Sequence, residues 1–448
     1  MRPVAVTAAV TVAITALSVW LLPGAPPLRT IILFAIIATA AVWIYRRSPF
    51  ATSPGTPILA TAIILLTVGV VANMHLFTDA PGASDSNPTL ANPDAARNWN
   101  DALFYLGESA ELSAASHSFY SAILAGIMFI AGKSLTTLLA FNVLLTTATL
   151  ILTAATTWRL TASRKLATTA MCATACICYL MASGCILVKD AWMITTLALA
   201  AFAMSRPGHF AMWAALLAVA MSVAVRPSYA LVIVAGLCIT GVPRTSRALP
   251  QRLIVAVVAV TGWWLMQHSG NSPDIATQLT GAADFEQWRS PSQQGWYDIT
   301  GDGIFHSPLQ KLMFLPLSAV TQFLIPLPWT WARDAIYGPT VAVAHFGFPW
   351  YLFAATVIYY FAACRRLASR ETLLLAAWGV LCWLIPCYTA MGTVSRYALP
   401  AIPLLAPAAA VALTQWRRRS FAIWVAVFAI LLTATLITVH HLQTPQLP

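Results

Sequence analysis

Apolar runs of about 15–25 residues, the length a helix needs to cross a hydrocarbon core, recur along all 448 residues. The pattern places helices near 4–22, 29–45 and 57–74, then apolar segments near 118–132, 134–158, 166–187, 191–205, 210–225, 228–242 and 253–267. After a polar stretch, 268–310, further segments follow near 311–328, 347–363, 372–390, 396–415 and 420–440. The first run follows a single Arg2, has no clear small-residue cleavage site, and leads into more spans, so it reads as a membrane helix rather than a signal peptide. The expected fold class is an all-α polytopic membrane protein with about 12–14 transmembrane helices.

Composition points the same way. With 59% apolar and 9% charged residues, and a mean hydropathy of +0.75, the chain has too few charges to cover a soluble protein of this length. The net charge of +11 comes from short clusters between apolar runs: Arg46-Arg47, Arg244/Arg247/Arg252, Arg365-Arg366/Arg370 and Arg417-Arg418-Arg419. Basic loops of that kind lie on the cytoplasmic side, so the excess charge reports orientation and no nucleic-acid partner is expected. All eight cysteines fall in or beside apolar runs, none in the long polar loops, which argues against a disulfide framework. Cys172 and Cys176, one helical turn apart, read as packing residues before they read as metal ligands.

These assignments put two long loops, 75–117 and 268–310, outside the cytoplasm. An odd number of crossings must separate the first loop from the basic Arg244–Arg252 loop, yet six apolar segments lie between them, so one is short, re-entrant or wrongly divided. Eleven of the fourteen acidic residues sit in the two loops, and Asp79 and Asp85, among Gly, Ser, Pro and Asn, need no chemistry to explain them. The stretch NWNDALFYLGESAEL, residues 98–112, is different because it interleaves Asp101, Glu108 and Glu111 with Trp99, Phe104, Tyr105 and Leu106. A helix over this stretch would put Asp101, Tyr105, Glu108 and Leu112 on one face and lie along a membrane surface.

Several weak motifs occur in order: Asp101-Ala-Leu-Phe-Tyr105, Ser116-His117-Ser118-Phe119-Tyr120, Gly132-Lys133-Ser134, Lys189-Asp190, Val225-Arg226-Pro227 and Ser395-Arg396-Tyr397-Ala398-Leu399-Pro400. Over roughly 57–415 their order resembles the polyprenyl-phosphate-sugar-dependent membrane glycosyltransferases of GT-C fold, which include protein O-mannosyltransferases and the lipid A aminoarabinose transferase. The resemblance covers the membrane core only. It implies two additional N-terminal helices in 1–56, a core over 57–415 with the two external loops, and a C-terminal helix and short tail in 416–448. It implies that a carboxylate of the first external loop is catalytic, here Asp101 with Asp94 as rival, and that Asp190 faces the same cavity. It also implies roles in substrate binding for Tyr105, Glu108, His117, Tyr120, Lys189, Arg226, Arg396 and Tyr397.

The residue types suit sugar transfer from a lipid phosphate, which needs a base for the acceptor hydroxyl and cations for the phosphate leaving group. Arg396 lies in the polar patch GTVSRYA between two apolar runs, against the positive-inside trend, and a polyprenyl phosphate would supply its anion. Arg226 can either pair with such a phosphate or extend to the headgroups. In the second loop, Trp288 and Trp296 offer faces on which a sugar ring can stack, or form part of an interfacial aromatic belt. Asp298-x-Thr300-x-Asp302-Gly303 resembles the start of a calcium loop, but Leu309 stands where the closing Glu belongs. No cofactor is required, with a divalent cation left open.

The expected function is therefore an integral membrane glycosyltransferase acting on a cell-envelope glycan, lipid or protein. It would sit in the inner membrane of a bacterium, with a cytoplasmic N-terminus and an extracytoplasmic active site. Two other classes compete. A polysaccharide polymerase or ligase would carry more arginines in its external loops, which here hold only Arg97 and Arg289. A transporter or lipid flippase would place polar groups near the midplane and often show paired halves.

Overall fold

The computed structural model describes residues 28–76, 93–108, 119–205, 209–226, 228–240, 248–268, 348–389 and 395–415, with 312, 313, 315, 316, 319 and 433. Among these residues the chain is helical and has no strand, as the apolar pattern predicts. Helices α1 (Leu28–Arg47) and α2 (Gly55–Leu76) precede two shorter ones, α3 (Pro93–Tyr105) and α4 (Tyr120–Ala131). Then follow α5 (Leu135–Thr161), α6 (Arg164–Ala175), α7 (Cys178–Ser183), α8 (Asp190–Ser205), α9 (His209–Val225), α10 (Ser228–Thr240) and α11 (Ala248–His268). The last group is α12 (Phe348–Tyr359), running on through a π turn (Tyr360–Cys364) and a 3-10 turn (Arg365–Leu367), then α13 (Arg370–Thr389), a 3-10 segment (Ser395–Ala401) and α14 (Ile402–Thr414).

α5 is the axis of the bundle, with α1, α2, α4, α6, α8 and α14 packed around it. A helix apolar on all sides must be covered on all sides. Its eight buried threonines bring hydroxyls into that core, and several turn back onto their own helix. Thr149 donates to the Leu145 carbonyl at 3.1 Å, Thr153 to Thr149 at 2.8 Å and Thr157 to Thr153 at 2.8 Å, each satisfying the polar group where no water is needed.

Three contacts fix α8 against α5. Asn142 bonds the Ile186 carbonyl just ahead of α8, Thr149 meets Thr195 at 3.0 Å, and Arg159 reaches the Phe202 carbonyl at 3.3 Å. The residue numbers rise together on both helices, so α5 and α8 run parallel. α9 packs on α8 and is joined to it through residues 206–208. A connection that short returns the chain antiparallel, which brings the end of α9 back to the level where α8 begins.

α14 is buried along Ile402–Ala412, and it seats the Ser395–Ala401 segment that leads into it. The outer helices are the reverse. On α11 Val255 and Ala259 are buried, while Leu253, Val257, Trp264 and Leu265 face outward. By length and composition α5 is the one helix among the described residues able to cross a membrane, and seven other apolar helices span 10–17 residues.

Two expected segments are corrected. The run 166–187 is not continuous, because the backbone leaves the helix at Ile177, which is extended, and again after Ser183. The run 118–132 is the twelve-residue α4, followed by a turn in which Gly132 adopts φ +88°.

Candidate functional site

α3 has proline at its first helical position, where the missing N–H costs nothing. The helix stops in a Schellman turn. Gly107 sits at φ +77°, its N–H donates to the Phe104 carbonyl at 2.9 Å, and the Glu108 N–H reaches back to Leu103 at 3.0 Å. The expected helix over 98–112 therefore ends at Tyr105, and the face shared by Asp101, Tyr105, Glu108 and Leu112 does not form. Tyr105 is 46% exposed, and Glu108, past the glycine, pairs with Lys133 between α4 and α5. Leu112 lies outside the described residues.

The inward face of α3 carries Ala95, Asn98, Asp101 and Ala102, all buried. Asn98 donates its amide to the Leu187 carbonyl at 3.1 Å. From the other side Asn142 of α5 donates to Ile186 at 2.7 Å. Two asparagines thus hold consecutive carbonyls of the turn that leads into α8, and α8 opens with Asp190. Asp101 is 1% exposed and Asp190 4%. Among the described residues these are the charged side chains that are buried.

Tyr120, the first residue of α4, completes the group. Its buried hydroxyl lies within hydrogen-bonding reach of the Asn142 amide and feels the Asp190 charge. Its ring meets Trp192 edge-on at 6.1 Å between centroids, and Phe141 tilts against the same indole at 5.3 Å. The Trp192 indole nitrogen and the Asn142 amide oxygen are also buried and complete no hydrogen bond of good geometry. At the other end of α4, Lys133 meets Glu108. α3 packs along α4.

Lys189 is half-buried beside Asp190. Arg226, also half-buried, forms the turn between α9 and α10, where its N–H bonds the Ser222 carbonyl at 2.7 Å. Since α9 returns to the start of α8, Arg226 comes to the level of Asp190. Arg396 and Tyr397 belong to the Ser395–Ala401 segment, whose backbone packs against α7 and α8, the two arms flanking the clamped turn. Asp94 is on α3, two turns before Asp101. His117, Trp288 and Trp296, and the Asp298–Gly303 stretch, lie outside the described residues.

Sequence reasoning missed Asn98, Asn142 and Trp192. Asn142 had a signal, being the one amide or charge between Leu135 and Trp158; a lone polar group in an apolar run marks a buried contact. Among the described residues no three His, Cys, Asp or Glu side chains gather as a metal site. The arrangement is two carboxylates, a phenol, two amides and an indole held at one end of a helical bundle. Comparison with protein families, with characterised proteins and with solved structures finds no match.

Proposed function

We propose that this chain is a many-spanning membrane glycosyltransferase of the polyprenyl-phosphate-sugar-dependent, GT-C type, working at an extracytoplasmic cavity lined by α3, α4 and α8. The observation that carries this is the burial of Asp101 and Asp190. A buried carboxylate is rare because its lost hydration must be offset by partners, and such groups cluster at functional sites. Here one end of the bundle holds two, on helices tied together through Asn98 and Leu187.

Membrane residence draws support from the outward apolar faces of α1 and α11, where Ile36, Trp43, Val257 and Leu265 are at least half exposed, a coverage that lipid satisfies and water does not. The same reading gives a topology. Lys133, just past the end of α4, pairs with Glu108 of the first loop, and on that ground we assign α4 as the segment that turns back. Five passes then remain between the first loop and Arg244: α5, α6 with α7, α8, α9 and α10. Five is odd, as the basic loop requires.

In the proposed reaction the acceptor hydroxyl gives its proton to Asp101 as its oxygen attacks the anomeric carbon. The bond from that carbon to the phosphate oxygen breaks on the opposite face, with inversion, and polyprenyl phosphate leaves. Arg226 and Arg396 stabilise the charge that develops on the phosphate, a task suited to the planar guanidinium. Asp190 and Tyr120 hold sugar or acceptor hydroxyls, and in a site screened from water those hydrogen bonds are stronger than at a surface.

The test is transfer from synthetic polyprenyl-phosphate sugars by purified protein, with Asp101→Asn, Asp94→Asn and Asp190→Asn compared for folding and donor binding. We expect Asp101→Asn to bind donor and lose turnover by at least about 100-fold, the scale of general base catalysis, while Asp94→Asn stays active. If no panel of such donors is bound or consumed, the transferase proposal fails and a transporter takes its place.

A further inference from the structure

The end of the bundle away from the buried carboxylates has a chemistry of its own. α5 is 27 residues long, which separates its two ends by about 40 Å. Beyond its C-terminal end three distant parts of the chain converge. Arg164 donates to the Pro49 carbonyl at 2.8 Å, bringing the start of α6 against the turn that follows α1. Phe50 of that turn packs on Tyr45 and Trp158, with centroids 5.8 and 6.2 Å apart. Leu166 of α6 packs against the cluster that Tyr360 and Cys364 form with Ala408, Val411 and Ala412 of α14, so α14 brings the α12–α13 turn to the same end of the bundle.

Each part contributes exposed cations. Arg46 and Arg47 end α1, and Arg164 and Lys165 open α6. Arg365, Arg366 and Arg370 line the α12–α13 turn. The one carboxylate within these three stretches is Glu371. Like charges gathered this way repel unless an anion lies among them, and the N-terminus of α6 adds its positive dipole end. Arg47 also lies over the ring of Trp43, 4.6 Å from its centroid, and that tryptophan is 50% exposed. An arginine stacked on an outward tryptophan beside apolar helix faces is the signature of a membrane–water boundary.

We propose that this basic end is a binding surface for anionic phospholipid headgroups, whose phosphates bridge α1, α6 and the α12–α13 turn and hold the three together. A surface that spans three elements suits several headgroups, or one with two phosphates, better than a single small anion. The proposal rests on the membrane part of the function above and not on its sugar chemistry.

The test reconstitutes the full chain in nanodiscs of phosphatidylcholine, alone or with added phosphatidylglycerol or cardiolipin. It reads the thermal midpoint and, by native mass spectrometry, the lipid retained. A variant carrying Lys165→Gln, Arg365→Gln, Arg366→Gln and Arg370→Gln leaves the Arg164–Pro49 bond in place. We expect anionic lipid to raise the wild-type midpoint and to be retained selectively, cardiolipin most, with both effects at least halved in the variant. In phosphatidylcholine alone the variant should match or exceed the wild type, because its like charges are gone. Equal midpoints in neutral and anionic discs, or a variant that responds as the wild type does, would overturn the proposal. So would a rise of equal size from inorganic phosphate, which would assign the surface to a soluble anion. A chain that stays in solution without detergent would remove the membrane premise, whereas failure of every sugar-transfer assay would leave the lipid surface standing.

Discussion

Asn98 from α3 and Asn142 from α5 hold consecutive carbonyls, Leu187 and Ile186, of the bridge between α7 and α8. Their losses should differ. Asn142→Leu keeps the branched outline of the side chain and removes the donor to the Ile186 carbonyl, so we expect a loss of about 1–3 kcal/mol, read as a lower thermal midpoint in detergent. Asn98→Ala releases α3 from Leu187 and leaves α5 and α8 packed together. It should therefore cost less stability and lower turnover of any substrate handled by Asp101, with donor binding retained. A midpoint drop equal to that of Asn142→Leu would show that α3 is part of the folding core instead of a positioning arm. Asp101 was legible in the sequence because a carboxylate among aromatics is conspicuous in a chain this apolar. Asn98 was not, although it lies in the same stretch, because an amide in a polar loop has many bland partners and the Leu187 carbonyl cannot be foreseen from 89 residues away.

At the scale of elements, what failed was continuity. The apolar run 166–187 has nothing in it before Gly184 to announce a break, and the departure at Ile177 comes from packing and not from local propensity. The early end of α3 was more readable, since Gly107 is the residue a helix uses to enter a left-handed turn. Glycine also sets close approaches between helices. On α10, Gly236 presses against the indole of Trp378 from α13, and that indole donates to the Val232 carbonyl at 3.0 Å. Trp378 is fully buried, and a rigid ring has no rotamer into which to retreat. Gly236→Ala should destabilise by about 1–3 kcal/mol through overpacking, visible as a lower midpoint. Gly126→Ala on α4, where an added methyl meets no atom within 4 Å, should show no comparable loss, and equal effects in the two variants would refute the packing account.

Across the whole molecule, charge sorts by end. The buried carboxylates, Lys133 with Glu108 and the Arg226 turn gather near the start of α5, and the exposed arginines gather beyond its finish. The alternation of apolar runs and basic clusters anticipated that polarity, but it left one crossing too many. Our proposal that α4 turns back rests on the contact between Glu108 and Lys133, a pairing across 25 residues that hydropathy does not carry. Reporter fusions test the outcome directly, using alkaline phosphatase, which becomes active only outside the cytoplasm. A fusion after Glu108 should be active and one after Lys165 inactive, the pattern expected if α5 crosses and α4 does not. The deciding fusion follows Lys133. If α4 turns back, its activity should equal that of the Glu108 fusion. An inactive Lys133 fusion would make α4 a crossing helix, place the start of α5 on the cytoplasmic side, and move Asp101 and Asp190 to opposite faces of the membrane, where no single cavity could use both.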